Sequence, residues 1–168
     1  MNEMWRWVCG IGMLAVLAGA VQADAQRRQI LTGVKSVAVM IEPTPSGEGG
    51  GLATPQLKIA AELRLRQAGV TVVSSLDESS QHFVYINVTV APVYKGQSDS
   101  PLLYNLRVEF FQPVSAVINS QVAVASVWKQ GILGAIEKGQ LQDRAKADLN
   151  ELLDEFINDY LAANPGGK

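Results

Sequence analysis

Hydrophobic and polar residues change period several times along the chain, and each change marks an element. Residues Val34 to Ile41 alternate and then become continuously apolar and Val-rich, which predicts a strand buried on both faces at its end. Glu42 to Ala53 holds two prolines and four glycines and reads as a loop. Thr54 then supplies a helix N-cap, with Pro55 at the first helical position. Leu57, Ala60, Ala61, Leu65 and Ala68 recur at helical spacing, and Gly69 reads as the left-handed residue that ends the helix. Val70 to Ser74 predicts a second short strand, completing a right-handed β-α-β unit with parallel strands.

Beyond this point the period falls to two. Val84, Ile86, Val88 and Val90 mark one face of a strand over Phe83 to Val90. Leu102, Tyr104, Leu106, Val108 and Phe110 mark one face of the next. A weaker alternation through Val122, Val124 and Trp128 predicts a third strand over Ile118 to Trp128. Tyr94 to Pro101 and Gln112 to Ser115 are read as linkers, and Gly131 to Gly139 as a glycine-spaced connection. The helical period returns with the stripe Leu141, Ala145, Leu149, Leu152, Leu153, Phe156 and Tyr160. Asp143, Asp148, Glu151 and Asp154 are expected mostly off that stripe, in water. The order β-α-β-β-β-β-α predicts an α/β (α+β) two-layer fold: a mixed sheet with an antiparallel meander and both helices on one face.

The first residues read differently. Met1 to Trp7 carries Arg6 and the free amine, Val8 to Ala18 is apolar, and small residues follow at Val21-Gln22-Ala23 and Ala23-Asp24-Ala25. This is the layout of a secretory signal peptide, and the apolar run is shorter than the roughly 20 residues a spanning helix needs. The expected organisation is a signal peptide over 1–25, a linker over 26–33, one domain over 34–163 and a tail over 164–168. The only cysteine, Cys9, lies inside the apolar run rather than at its end, where a lipidated cysteine would stand. The exported domain is therefore expected to lack disulfides, thiols and a stable membrane anchor, and to be periplasmic or extracellular.

Composition narrows the function classes. Of 168 residues, 48% are hydrophobic and 18% charged, and the formal net charge is −2 with the two signs interspersed. Nucleic-acid binding would call for a basic excess or stripe. The cluster Gly47-Glu48-Gly49-Gly50-Gly51 precedes a helix, yet Leu52-Ala53-Thr54 follows where a phosphate loop needs Gly-Lys-Ser/Thr. The one histidine, His82, has no ligand set around it for zinc, and Asp77, Ser79 and Ser80 beside it form no nucleophile elbow, so it reads as an ordinary residue at the start of a strand. Asp77 and Glu78 are neighbours that point apart, and Glu109 stands beside Arg107 and Asn105 rather than across a cleft from a second acid. Asn87-Val88-Thr89 matches a glycosylation sequon within a strand, where it is discounted. No cofactor is expected.

The sheet face away from the helices is expected to carry Phe83, Tyr85, Asn87 and Thr89, then Asn105, Arg107, Glu109 and Phe111, then Ala123, Ala125 and Val127. This face is polar but studded with aromatic rings. Phe83, Tyr85, Arg107, Phe111 and Trp128 are the candidate partner-contact residues.

The element order, from Val34-Lys35-Ser36-Val37-Ala38-Val39 to Phe156-Ile157-Asn158-Asp159-Tyr160-Leu161, resembles that of the lipopolysaccharide-assembly lipoprotein. It is also similar to the N-terminal domain of the TolB translocation protein and to auxiliary lipoproteins of envelope ABC transporters. The resemblance implies a non-catalytic periplasmic role, binding a protein or an amphiphile during envelope assembly or transport. The leading expectation is a binding or assembly module contacting an envelope protein or a second copy of itself. A carrier of a small apolar or amphiphilic ligand held between helices and sheet is the alternative, and an enzyme the least favoured reading.

Overall fold

The computed structural model describes residues 28–43, 52–75, 81–94, 96 and 100–166. The expected signal peptide, the glycine loop at 47–51 and the acids at 77–78 lie outside them. Five strands form one sheet in the order β2-β1-β3-β4-β5. They are β1 (Ser36–Pro43), β2 (Thr71–Val73), β3 (Phe83–Pro92), β4 (Leu102–Ser115) and β5 (Val122–Ile136). Strands β1 and β2 are parallel, as are β1 and β3, while β3, β4 and β5 form the antiparallel meander. Helices α1 (Thr54–Gln67) and α2 (Leu141–Ala163) pack on each other and on one side of this sheet, as the sequence pattern predicts.

The apolar stripes meet in one core. Leu57, Ala61 and Leu65 of α1 are buried, as is every residue expected on the α2 stripe. They cover Val37, Val39, Val84, Ile86, Val88, Leu106, Val108 and Phe110 of the sheet. Phe156 is the hub, with its ring centroid 5.5 Å from Phe110, 5.2 Å from Trp128 and 6.2 Å from Tyr160. Burying each side chain of this size contributes roughly 1.5–3 kcal/mol. Gly69 ends α1 with φ +86°, the left-handed turn that glycine enters without a Cβ penalty. Ala53 rather than Thr54 is the N-cap of α1, with no side-chain cap bond.

The segment before β1 is tied to the end of α2. Leu31 is fully buried, the Gly33 amide donates to Asn164 Oδ1 (2.8 Å), and Asn164 Nδ2 donates to the Leu31 carbonyl (3.0 Å). Tyr160 donates its hydroxyl to the Val34 carbonyl (2.8 Å).

Two expectations are corrected in the meander. Gln112 to Ser115 is strand rather than linker, and β5 begins at Val122 and runs through Gly131 and Gly134 to Ile136. The turn lies between them, closed by the Ala116 amide on the Gln121 carbonyl (2.9 Å) and the Ser120 amide on the Ala116 carbonyl (2.8 Å). Strand β3 pairs only as far along β4 as Phe111, so the far end of the β4–β5 hairpin is two-stranded. Its turn holds Val117 and Ile118 in water, 101% and 96% exposed.

The second correction is of register. Phe110 pairs with Trp128 but Phe111 pairs with Ser126, so Val127 is an extra residue in β5, a β-bulge. Because side chains alternate with a period of two, the bulge exchanges the faces of everything on its two sides. Val122, Val124 and Ser126 therefore lie opposite Ser115, Pro113 and Phe111 on the face away from the helices, in place of the expected Ala123 and Ala125.

Candidate functional site

The helices cover one side of the sheet, and the described residues place nothing over the other. Its rows can be read across the strands: Ala38, Phe83, Phe111 and Ser126; then Met40, Tyr85, Glu109 and Lys129; then Glu42, Asn87, Arg107 and Gly131. Thr89, Asn105 and Leu133 form the next row. Four of the five expected contact residues, Phe83, Tyr85, Arg107 and Phe111, thus share this open face.

The aromatics form a built cluster. Phe83 and Phe111, directly paired across β3 and β4, stack with centroids 4.9 Å apart and planes 4° from parallel. Tyr85 meets Phe111 edge-on at 5.8 Å. Such pairs contribute about 0.5–1.5 kcal/mol beyond burial, so the rings are held in place before any partner arrives. Tyr85 donates its hydroxyl to Glu42. That hydrogen bond to a carboxylate, with partial burial, raises the Tyr85 pKa above its ordinary value.

A polar patch continues the cluster towards β5. The Arg107 guanidinium lies 3.8 Å from Glu109 and donates to Asn87 Oδ1 at 3.5 Å; Thr89 donates to the same amide oxygen at 3.2 Å. The Arg107 stem crosses β5 at Gly131, where a Cβ would stand 3.0 Å from Arg107 Cγ. Between β4 and β5 a shallow groove of about 660 Å³ is lined by Asn105, Arg107, Glu109, Lys129 and Leu133 among others. It offers two cations, one carboxylate and an apolar rim. Among the described residues no three His, Cys, Asp or Glu side chains gather as a metal site would need. His82 stands at the start of β3, its ring stacked 6.1 Å from Phe110.

Trp128, the fifth expected contact residue, is on the other side. It is 2% exposed, packs edge-on against Phe156, and donates its indole N–H to Asp159 at 3.0 Å. Its side chain belongs to the core under α2 and cannot serve as a surface contact. Asp148 is likewise corrected: expected in water, it is 2% exposed. Tyr104 donates its hydroxyl to Asp148, and Arg144 reaches the same carboxylate at 2.9 Å and the Tyr104 oxygen at 3.3 Å. Burial first, and the bond to Asp148 second, raise the Tyr104 pKa. This cluster ties α2 to β4. The signal for it was present: Asp148 falls within the apolar stripe, one turn after Arg144.

No protein-family model matches the chain, and no curated protein matches it. Among solved structures, a PelC dodecamer from Paraburkholderia phytofirmans is similar at 17% identity and a TM-score of 0.37, covering 78% of this chain and 86% of that one. A minor lipoprotein from Acinetobacter baumannii is similar at 11% identity and a TM-score of 0.31, covering 77% and 93%. Rare lipoprotein B from Shewanella oneidensis is similar at 16% identity and a TM-score of 0.28, covering 75% and 87%. Likenesses of this depth say nothing about what the present chain binds. No helix among the described residues is long and apolar enough to cross a membrane.

Proposed function

We propose that the chain is a non-catalytic binding module, exported to the cell envelope by its N-terminal leader, that holds a protein partner on the open sheet face. The observation that carries this reading is the uncovered Phe83–Tyr85–Phe111 cluster, preorganised by stacking and continuous with the Arg107–Lys129 groove. Rigid aromatics beside a half-exposed arginine are the groups that dominate binding energy at protein interfaces. The groove's two cations suit a segment that presents a carboxylate beside apolar side chains. The carrier alternative requires space between helices and sheet, and the part of that layer around Phe156 is filled by the rings of Phe110 and Trp128.

Site-specific photocrosslinking in the envelope of the producing cell tests this. Probes at Tyr85 and Arg107 should yield one discrete adduct, while a probe at Ile59, exposed on the helix side, should not. Adducts from Ile59 alone, or none from the open face, would overturn the proposal.

A further inference from the structure

The sheet ends on one side at β2, three residues long, and on the other at β5, which is fifteen. Among the described residues, therefore, only β5 presents a long row of backbone N–H and C=O groups with no neighbouring strand, a template for pairing with another strand. Its first half is interrupted by the bulge at Val127; from Trp128 to Ile136 the pairing is regular. Glu137 continues this run with extended backbone (φ −71°, ψ 143°).

The run Lys129-Gln130-Gly131-Ile132-Leu133-Gly134-Ala135-Ile136-Glu137 complements itself in reverse. If a second copy lies antiparallel to it about a two-fold axis at Leu133, Lys129 of each copy stands opposite Glu137 of the other. Gly131 then faces Ala135, Ile132 faces Gly134, and the two Leu133 side chains meet at the axis. Directly opposed residues in an antiparallel pair share a face. Lys129, Leu133 and Glu137 therefore all meet on the open side, where each is exposed, Leu133 to 77%. Lys129 is the only charged residue of β5. Centring the pair on Lys129 itself, the middle of the strand, would oppose two ammonium groups, which is destabilising. The charges thus reject that register and favour the one at Leu133.

We infer that the chain associates with a second copy of itself through antiparallel β5–β5 pairing centred on Leu133, with reciprocal Lys129–Glu137 pairs, joining two sheets into one of ten strands. The pairing does not depend on the open-face reading and leaves the Phe83–Tyr85–Phe111 cluster uncovered.

The test is sedimentation of the purified full chain together with its charge-reversal variants. The unmodified chain should sediment as a dimer. Lys129→Glu and Glu137→Lys should each weaken the dimer by about ten-fold or more, and the double reversal should restore it. Cys9 is the only thiol, so Leu133→Cys in a Cys9→Ser background carries one cysteine at the axis. It should form a disulfide-linked dimer under mild oxidation, whereas Val124→Cys in the same background should not. A monomer at about 100 µM, a double reversal no better than the singles, or crosslinking equal at both positions would each overturn the pairing.

Discussion

Replacing Asp148 with alanine removes the acceptor on which Tyr104 and Arg144 converge, and the cost can be worked from their surroundings. Tyr104 is 2% exposed, so its hydroxyl loses its carboxylate partner where water does not reach it easily. An unsatisfied buried donor costs about 1–3 kcal/mol. Arg144 has a side chain 55% exposed and returns to water, so losing its 2.9 Å ion pair adds little to that cost. Asp148→Ala should therefore lower stability by about 2–3 kcal/mol. Tyr104→Phe leaves the carboxylate its arginine and should cost about 1.5 kcal/mol. With both changes no orphaned group remains, so the double variant should lose roughly 1–2 kcal/mol less than the sum of the singles. Urea unfolding at neutral pH measures all four corners of this cycle, with unchanged m-values confirming a common unfolded state. Additivity within about 0.5 kcal/mol would refute the claim that the three groups act as one unit.

The same cluster governs two further outcomes. Gly134→Ala should destabilise by about 1–3 kcal/mol, because the new Cβ would lie 2.8 Å from a Tyr104 ring whose hydroxyl is held by Asp148. Gly139→Ala, with nothing within 4 Å, should be neutral or stabilise by up to about 1 kcal/mol; thermal melts of the pair check the contrast. Burial raises the pKa of Tyr160, and burial with the Asp148 bond that of Tyr104, above the ordinary 10.0. The unfolded chain then releases these protons first, so stability is intact below pH 10 and falls as pH rises through the folded values. Tyrosinate absorbance and unfolding followed together above pH 10 should show this fall, shallower in Tyr104→Phe; an equal slope in both proteins would exclude Tyr104 as a source.

What could be read from the sequence was what depends on local period. Strands β3 and β4 alternate because one face meets α1 and α2 and the other meets water, and α2 shows its stripe for the same reason. Four open-face residues followed from that alternation. What could not be read depends on neighbours far along the chain. Gly131 and Gly134 look like a connection, yet they are strand residues kept small by the Arg107 stem and the Tyr104 ring lying across them. Pro113 looks like a strand breaker, but β3 has ended beside it, so β4 has a free side where a missing N–H costs nothing. Asp148 looks like a solvated acid because its tyrosine partner is 44 residues away.

The placement of Trp128 and the outward face of the second half of β5 have a common cause in Val127. If β5 paired with β4 without this extra residue, continuing from Ser126 opposite Phe111, Trp128 would fall opposite Glu109 on the open face and Lys129 opposite Val108 beneath the helices. The strand's single charge would then be buried in the core without a partner, and Phe156 would lose the indole it packs against. The bulge removes both conflicts by rotating the second half of the strand: Trp128 turns in to Phe156 and Asp159, while Lys129 and Leu133 turn out. The same rotation gives the edge its self-complementary face and aligns Lys129 with the Arg107 groove, so one inserted residue sets the core, the open face and the edge together.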